Sequence, residues 1–225
     1  MTDGSDIVAA ALRHGQTALS EADSKRVLAG YGIPVIREEQ AASADEAVAA
    51  AARIGYPVVL KGCHWTLQHK TEMDMVRLSL ADEPALRAAC AELQPRLPAG
   101  GCLLVQEMVS GRRELLCGVI RDPQFGPCVS VGIGGIFAEV LQDVSFRVAP
   151  FDRLEAAAML SELKSGSLLG SFRGMPSADM AALERLLVGL SRLAVDVPAI
   201  REIDVNPVII AGNRPVAVDA LIVLA

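Results

Sequence analysis

The most apolar stretch of the chain, Val208 to Ala225, is broken by Gly212-Asn213-Arg214-Pro215 and again by Asp219. That punctuation recurs along the chain and limits what it can fold into. A membrane-spanning helix needs about 18 or more consecutive apolar residues, and no run here is that long. Short apolar runs bounded by Gly, Pro and Asn read instead as buried strands closed by turns. With 52% of its 225 residues hydrophobic, the chain is too apolar for disorder and long enough for a large core. Only 4% are aromatic, so that core is built from Ala, Val, Leu and Ile. Met1 to Asp6 has no basic region ahead of an apolar stretch, so no signal peptide and a cytoplasmic location are expected.

Charge and cysteine usage remove further classes. Lys and Arg total 21 against 27 Asp and Glu, a net charge of -6 without a basic cluster, which excludes a large nucleic-acid footprint. The five cysteines, Cys63, Cys90, Cys102, Cys117 and Cys128, are odd in number and lack CxxC spacing. They are expected as free, small hydrophobic residues in a reducing compartment.

Helices and strands mix throughout, and no internal repeat is present. Ser20 to Tyr31 predicts a helix stopped by Gly32, and Ser43-Ala44-Asp45-Glu46 has capping-box spacing before an Ala-rich helix that Gly55 ends. Strands are predicted over 57–61, 75–80, 102–108, 114–121, 129–133, 200–205 and 215–223, with further helices over 82–93, 153–164 and 177–196. The Pro- and Gly-rich connector over 95–101 suggests two α+β portions. The expected division is a lead-in over 1–19, a first subdomain over 20–101 and a second over 102–225, with a ligand cleft between the two subdomains.

Several residues in this frame carry chemistry. Lys61 ends an apolar strand, where its ammonium can meet a phosphate as a point charge. Glu107 ends another strand and Glu114 opens the next, so that backbone groups and a carboxylate could read a nucleoside. Asp204 and Asn206 lie two apart and share one strand face, and Asp219 could join them from the neighbouring strand. Oxygen ligands of this number suit Mg²⁺ shared with substrate phosphates. His69 sits in a polar stretch and could carry a covalent intermediate. Gly134 and Gly135 follow a strand and allow close backbone approach to an anion, and Arg147 could clamp a phosphate.

Taken in order, Tyr31-Gly32-Ile33-Pro34, Gly55-Tyr56-Pro57-Val58-Val59-Leu60-Lys61, His69-Lys70-Thr71-Glu72, Val105-Gln106-Glu107-Met108-Val109, Gly134-Gly135-Ile136-Phe137 and Glu202-Ile203-Asp204-Val205-Asn206-Pro207 resemble segments of the ATP-grasp subunit of ADP-forming acyl-CoA synthetases. That family is related to the succinyl-CoA synthetase β subunit. The resemblance runs from about Glu21 to Val223 and implies an α+β ATP-grasp fold with the nucleotide between two subdomains. It further implies that Lys61 meets ATP phosphate, that Glu107 to Val109 meets adenine through backbone groups, and that Glu114 binds ribose. Asn206 and Asp219 would hold Mg²⁺, Asp204 would orient a phosphohistidine at the nucleotide site, and His69 falls on the histidine that carries phosphate between sites.

The implied cofactors are ATP/ADP and Mg²⁺, with CoA bound through a CoA-binding α-type partner subunit or domain. The implied reaction is acyl-CoA + ADP + phosphate ⇌ carboxylate + CoA + ATP. The family's Gly-Gly after the His-Lys motif is replaced here by Asp74-Met75, which adds like charge beside the expected phosphate loop. Two other readings compete: an amide-forming ATP-grasp carboxylate ligase, and a non-catalytic regulatory or interaction subunit. A chain that lacks its CoA-binding partner is also expected to self-associate or expose an apolar patch, because obligate interfaces resemble a divided core.

Overall fold

The computed structural model describes residues 4–68, 70–135, 143–171 and 174–225. Helix α1 spans Gly4–Arg13 and α2 spans Glu21–Gly30, the latter N-capped by Ser20, whose hydroxyl accepts from the Asp23 N–H. Ser43 caps α3 (Ala44–Ile54) and Asp82 caps α4 (Glu83–Leu93) in the same way. Each cap satisfies an N–H that the first helical turn leaves without a partner. Asp152 caps α5 (Arg153–Glu162), and Asp179 caps α6 (Met180–Asp196).

Strands β1 (Glu38–Ala41), β2 (Val58–Cys63), β3 (Val76–Leu80) and β4 (Cys102–Glu107) form a four-stranded antiparallel sheet in the order β1-β4-β2-β3. Its core joins Val58, Leu60, Leu103 and Val105 to the apolar faces of α3 and α4. The larger sheet contains β5 (Glu114–Asp122), β6 (Gly126–Ile133), β7 (Val144–Val148), β8 (Ile200–Ala211), β9 (Arg214–Ala217) and β10 (Ala220–Leu224). Its path runs β10-β8-β5-β6-β7, and β9 pairs with the far half of β8. Cys117, Val119, Val129, Val131, Ile203 and Val205 alternate onto one face, which α6 covers through Leu183, Leu186, Leu187 and Leu190. The alternate residues, including Gly118, Ser130, Phe146 and Asp204, occupy the other face.

The expected boundary over 95–101 is not where the structure divides. β4 pairs with β1 and β2, so it completes the small sheet, and the crossing to the large sheet falls at Met108–Arg113. The local Pro-Gly signal marks only a turn before β4. Nor is the N-terminal region a loose lead-in. Val8, Ala11, Leu19, Val27, Leu28 and Ile33 belong to the large sheet's core. Ala18 bridges Val223, and Val35 bridges Ala217. The small sheet and its helices are thus inserted into a larger unit that both ends of the chain build. The single strand expected over 215–223 is divided into β9 and β10 around Val218-Asp219, which are left to face α2 and the small sheet.

The crossing is closely packed. A methyl added at Gly111 would stand 2.5 Å from Ile209 Cγ2 and 2.6 Å from the Ile210 carbonyl oxygen. Nearby, the buried Arg113 guanidinium donates to the carbonyls of Leu169, Gly170, Pro176 and Gly212. Gly111→Ala is therefore expected to destabilise the fold by about 1–3 kcal/mol through overpacking. Urea unfolding should show a lower midpoint with an unchanged slope.

Candidate functional site

The two sheets meet at a buried charge cluster centred on Glu21. The first turn of α2 lies over the small-sheet face that carries Lys61 and Gln106. Glu21 Oε1 accepts from Lys25 Nζ at 2.7 Å, Lys61 Nζ at 2.8 Å and Gln106 Nε2 at 2.6 Å. Its Oε2 is 3.0 Å from Lys70 Nζ. Lys61 and Lys70 also bind the two oxygens of Asp219, at 3.0 and 3.3 Å. Lys25 reaches the Val218 carbonyl at 3.1 Å and forms an ion pair with Glu38. Three ammonium groups thus face three carboxylates.

The site's electrostatics follow from burial set against charge. Burial opposes ionisation of Glu21, but Lys61, Lys25 and Lys70 outweigh it and hold the carboxyl well below its usual range. Burial pulls Lys61 and Lys70 down, and Glu21 with Asp219 raises both above the ordinary lysine value. At Glu38 burial prevails over Lys25 and raises the carboxyl. The Gln106 Oε1 atom is buried without a hydrogen-bond partner. A cavity of about 230 Å³ beside Lys70 is lined by Gln68, Thr71, Glu72 and Asp219.

On the large sheet, Val205 faces Ala220, and one step further the Asn206 N–H donates to the Asp219 carbonyl at 3.2 Å. Asp204, two residues from Asn206, lies on the sheet face that the helices leave uncovered. The residue is exposed. Partial desolvation against the sheet, followed by the carboxylates of Asp219 and Glu202, raises it above the usual carboxylate range. Asp204 and Asn206 therefore flank Asp219, whose carboxylate binds Lys61 and Lys70.

At the other end of β5, the Gly134 N–H donates to the Glu114 carbonyl at 2.7 Å, and the Glu114 carboxylate comes within 3.9 Å of where a Gly135 side chain would begin. Gly135 has φ +87°, which glycine adopts without the cost other residues incur. Glu107 and Val109 stand at the crossing. The Glu107 carboxylate accepts from the Arg37 backbone N–H at 3.0 Å and from Nε at 2.8 Å, tying the end of β4 to the segment before β1.

Arg147 does not join this site. It alternates with Phe146 and so faces α5, where its guanidinium binds Glu155 at 2.8 Å and Glu162 at 2.5 Å. Its expected role as a phosphate clamp is corrected to a sheet–helix tie. His69 lies outside the described residues. Asp74, expected to bring like charge toward the phosphates, turns outward. It is bound by Arg77 at 2.8 Å and Arg96 at 3.0 Å, with φ +53°. Met75 is buried in the small-sheet core, and Gly62 makes room for it, since a methyl there would lie 2.5 Å from Met75 Cε.

Glu21, Lys25, Glu38, Lys70 and Gln106 were not singled out by sequence reasoning. The one local signal was the i,i+4 spacing of Glu21 and Lys25, which also describes an ordinary surface ion pair. For Mg²⁺, no group of three or more His, Cys, Asp or Glu converges as a metal cage among the described residues. Asp219 and Asn206 instead suit an ion that arrives with a polyphosphate and keeps several waters.

A family model described as ATP-grasp domain matches residues 10–224. The β subunit of acetate–CoA ligase [ADP-forming] I from Pyrococcus furiosus is 37% identical over 213 residues, covering 92% of this chain and 91% of that one. Acetate–CoA ligase [ADP-forming] I from Archaeoglobus fulgidus is 40% identical over 208 residues, where 90% of this chain matches 30% of that longer protein. Dinucleotide-forming acetyl-coenzyme A synthetase 1 of Ca. Korarchaeum cryptofilum, in complex with coenzyme A, Ca-AMPCP and HgCl+, superposes with a TM-score of 0.92 at 38% identity, covering 99% of this chain and 100% of that one. A second structure of that synthetase, with coenzyme A and Mg-AMPPCP, has its phosphohistidine segment pointing towards the nucleotide binding site (TM-score 0.87, 38% identity, 99% and 100% covered).

The cluster makes stability depend on pH with a defined sign. Glu21 is more acidic folded than unfolded, so its contribution is complete above about pH 4.5 and is lost as pH falls below that value. Lys61 and Lys70 act oppositely, losing their contribution as pH rises beyond about 10.5. Glu21→Gln is expected to cost about 3 kcal/mol at neutral pH, because it leaves buried ammonium charge uncompensated. It should also flatten the acid limb of a plot of unfolding free energy against pH.

Proposed function

The chain belongs to the ATP-grasp domain family, and from that premise we propose that it is the nucleotide-binding β-type subunit of an ADP-forming carboxylate–CoA ligase. The observation that carries this reading is the convergence of Lys61 and Lys70 on Asp219, beside Asp204 and Asn206, where the two sheets meet. Two ammonium groups that share a displaceable carboxylate suit a polyphosphate. Asp219 is 28% exposed, whereas Glu21 is 1% exposed. Phosphate oxygens reaching the lysines would compete with Asp219 and leave Glu21 in place.

In this reading Lys61 and Lys70 bind and orient the phosphates. Adenine lies against the backbone of Glu107 to Val109, Glu114 accepts from the ribose, and Gly134 and Gly135 permit close approach of the backbone. Asp219, released from the lysines, and Asn206 hold Mg²⁺. When bound, that ion offsets charge on the polyphosphate. Asp204 orients the histidine that carries the phosphoryl group, the role we give His69. In the ATP-forming direction the P–N bond of phosphohistidine breaks as a bond forms from phosphorus to a β-phosphate oxygen of ADP, and the imidazole regains a proton.

The partner is a CoA-binding α-type subunit. The β-subunit relative of nearly equal length and the longer single-chain relative both support that arrangement. So does the row Ile120, Val144, Phe146 and Val148, left exposed on the uncovered face of the large sheet. Among the described residues no helix is long and apolar enough to cross a membrane. Because Arg77 and Arg96 neutralise Asp74, the departure at Asp74-Met75 does not favour a non-catalytic subunit.

Calorimetric titration of the folded chain should show Mg²⁺-dependent binding of ADP or ATP. Lys61→Ala should weaken it at least tenfold, about 1.4 kcal/mol, and Arg147→Ala should leave it within twofold. No binding to the folded wild-type chain would overturn the assignment.

A further inference from the structure

Cys63 ends β2 and Cys102 opens β4, and the two are opposed in register. Facing residues of an antiparallel pair have Cα atoms about 4.5–5.5 Å apart, within the roughly 4.4–6.8 Å that disulfides span. Both side chains project toward the first turn of α2, where Cys63 packs with Ala22 and Leu104, and Cys102 lies against that group. A cavity of about 500 Å³ is lined by Ser20, Asp23, Cys63, His64, Trp65 and Cys102, among others.

The surroundings separate the two sulfurs chemically. The Cys102 thiol donates to Cys63, and this outweighs burial. The Ala22 backbone N–H adds to it, and together they hold Cys63 down at about 7. Helix N-terminal N–H groups favour a thiolate in this way. Cys102, as the donor, is pushed up. Burial raises Cys90, and it pushes Cys117 up to about 12. Cys63, 3% exposed in the wall of that cavity, is thus the more acidic sulfur, with the half-buried Cys102 beside it.

We propose that Cys63 and Cys102 form a thiol–disulfide exchange site whose reactant is a low-molecular-weight disulfide. The Cys63 thiolate attacks one sulfur of R–S–S–R, the S–S bond breaks and one RS⁻ leaves. Cys102 loses its proton to solvent and attacks Cys63 Sγ in the mixed disulfide, expelling the second RS⁻. The dithiol has then lost two electrons, and R–S–S–R has become two RSH. This inference is independent of the nucleotide reading and stands or falls separately from it.

The test is incubation of the full chain across a series of oxidised-to-reduced glutathione ratios, followed by acid quench, alkylation and peptide mapping. The expected product is one Cys63–Cys102 link that excess reduced glutathione reverses. Cys102→Ser should accumulate a glutathione adduct on Cys63, and Cys63→Ser should slow the reaction of Cys102 at least tenfold. On the unmodified chain, Cys63 alkylation should rise with pH to a midpoint near 7. Failure of the link to form at any ratio, or a Cys63 midpoint above 8.5, would overturn the proposal.

Discussion

The arrangement of the molecule depends on one buried anion. Glu21 lies within 3.0 Å of the side-chain nitrogens of Lys25, Lys61 and Lys70. At an effective dielectric constant near 20, two like charges about 4 Å apart repel by about 4 kcal/mol, so three ammonium groups do not gather there without a counter-charge. α2 packs against β10 in the large core, yet its first residue satisfies Lys61 and Gln106 of the small sheet. The carboxylate therefore fixes the relation between two hydrophobic cores that share few apolar contacts. Asp219 completes the cluster from the large sheet, because β9 and β10 separate around it.

This organisation gives the two acids different tasks. Glu21 is enclosed and keeps the lysines charged. Asp219 is more accessible, and in the proposed reading it gives the lysines up to the phosphates. A site that balances its own charges when empty can expose strong cations to a phosphate without the cost of leaving them unpaired in a low-dielectric setting.

Local chemistry made much of this legible in the sequence. Ser20, Ser43 and Asp82 begin helices because their side chains accept the N–H groups that a first turn leaves free. Period-two spacing put Asp204 and Asn206 on one face, and the polar break at Asp219 marked its partner. The misses share a physical cause: they depend on pairings between distant segments. Gln106 meets Glu21 across 85 residues, and nothing near either residue announces it. β4 follows a Pro-Gly connector but returns to pair with β2. Arg147 alternates against Phe146, yet its direction is known only once α5 is seen to cover that face. Met75, beside the expected phosphate loop, is accommodated by the absent side chain at Gly62.

The insertion of the small sheet into the larger unit bears on how the protein emerges from the ribosome. Residues 36–107 are contiguous, and that sheet with α3 and α4 can assemble as soon as β4 is synthesised. The larger unit cannot. α2 precedes β10 yet packs against it, and Ser24 and Ile222, hydrogen-bonded across that contact, lie 198 residues apart. Contacts of such sequence separation form slowly because the intervening loop must close first. Until β10 is made, the apolar side of α2 and the buried charges of Glu21 and Lys25 wait without their final neighbours.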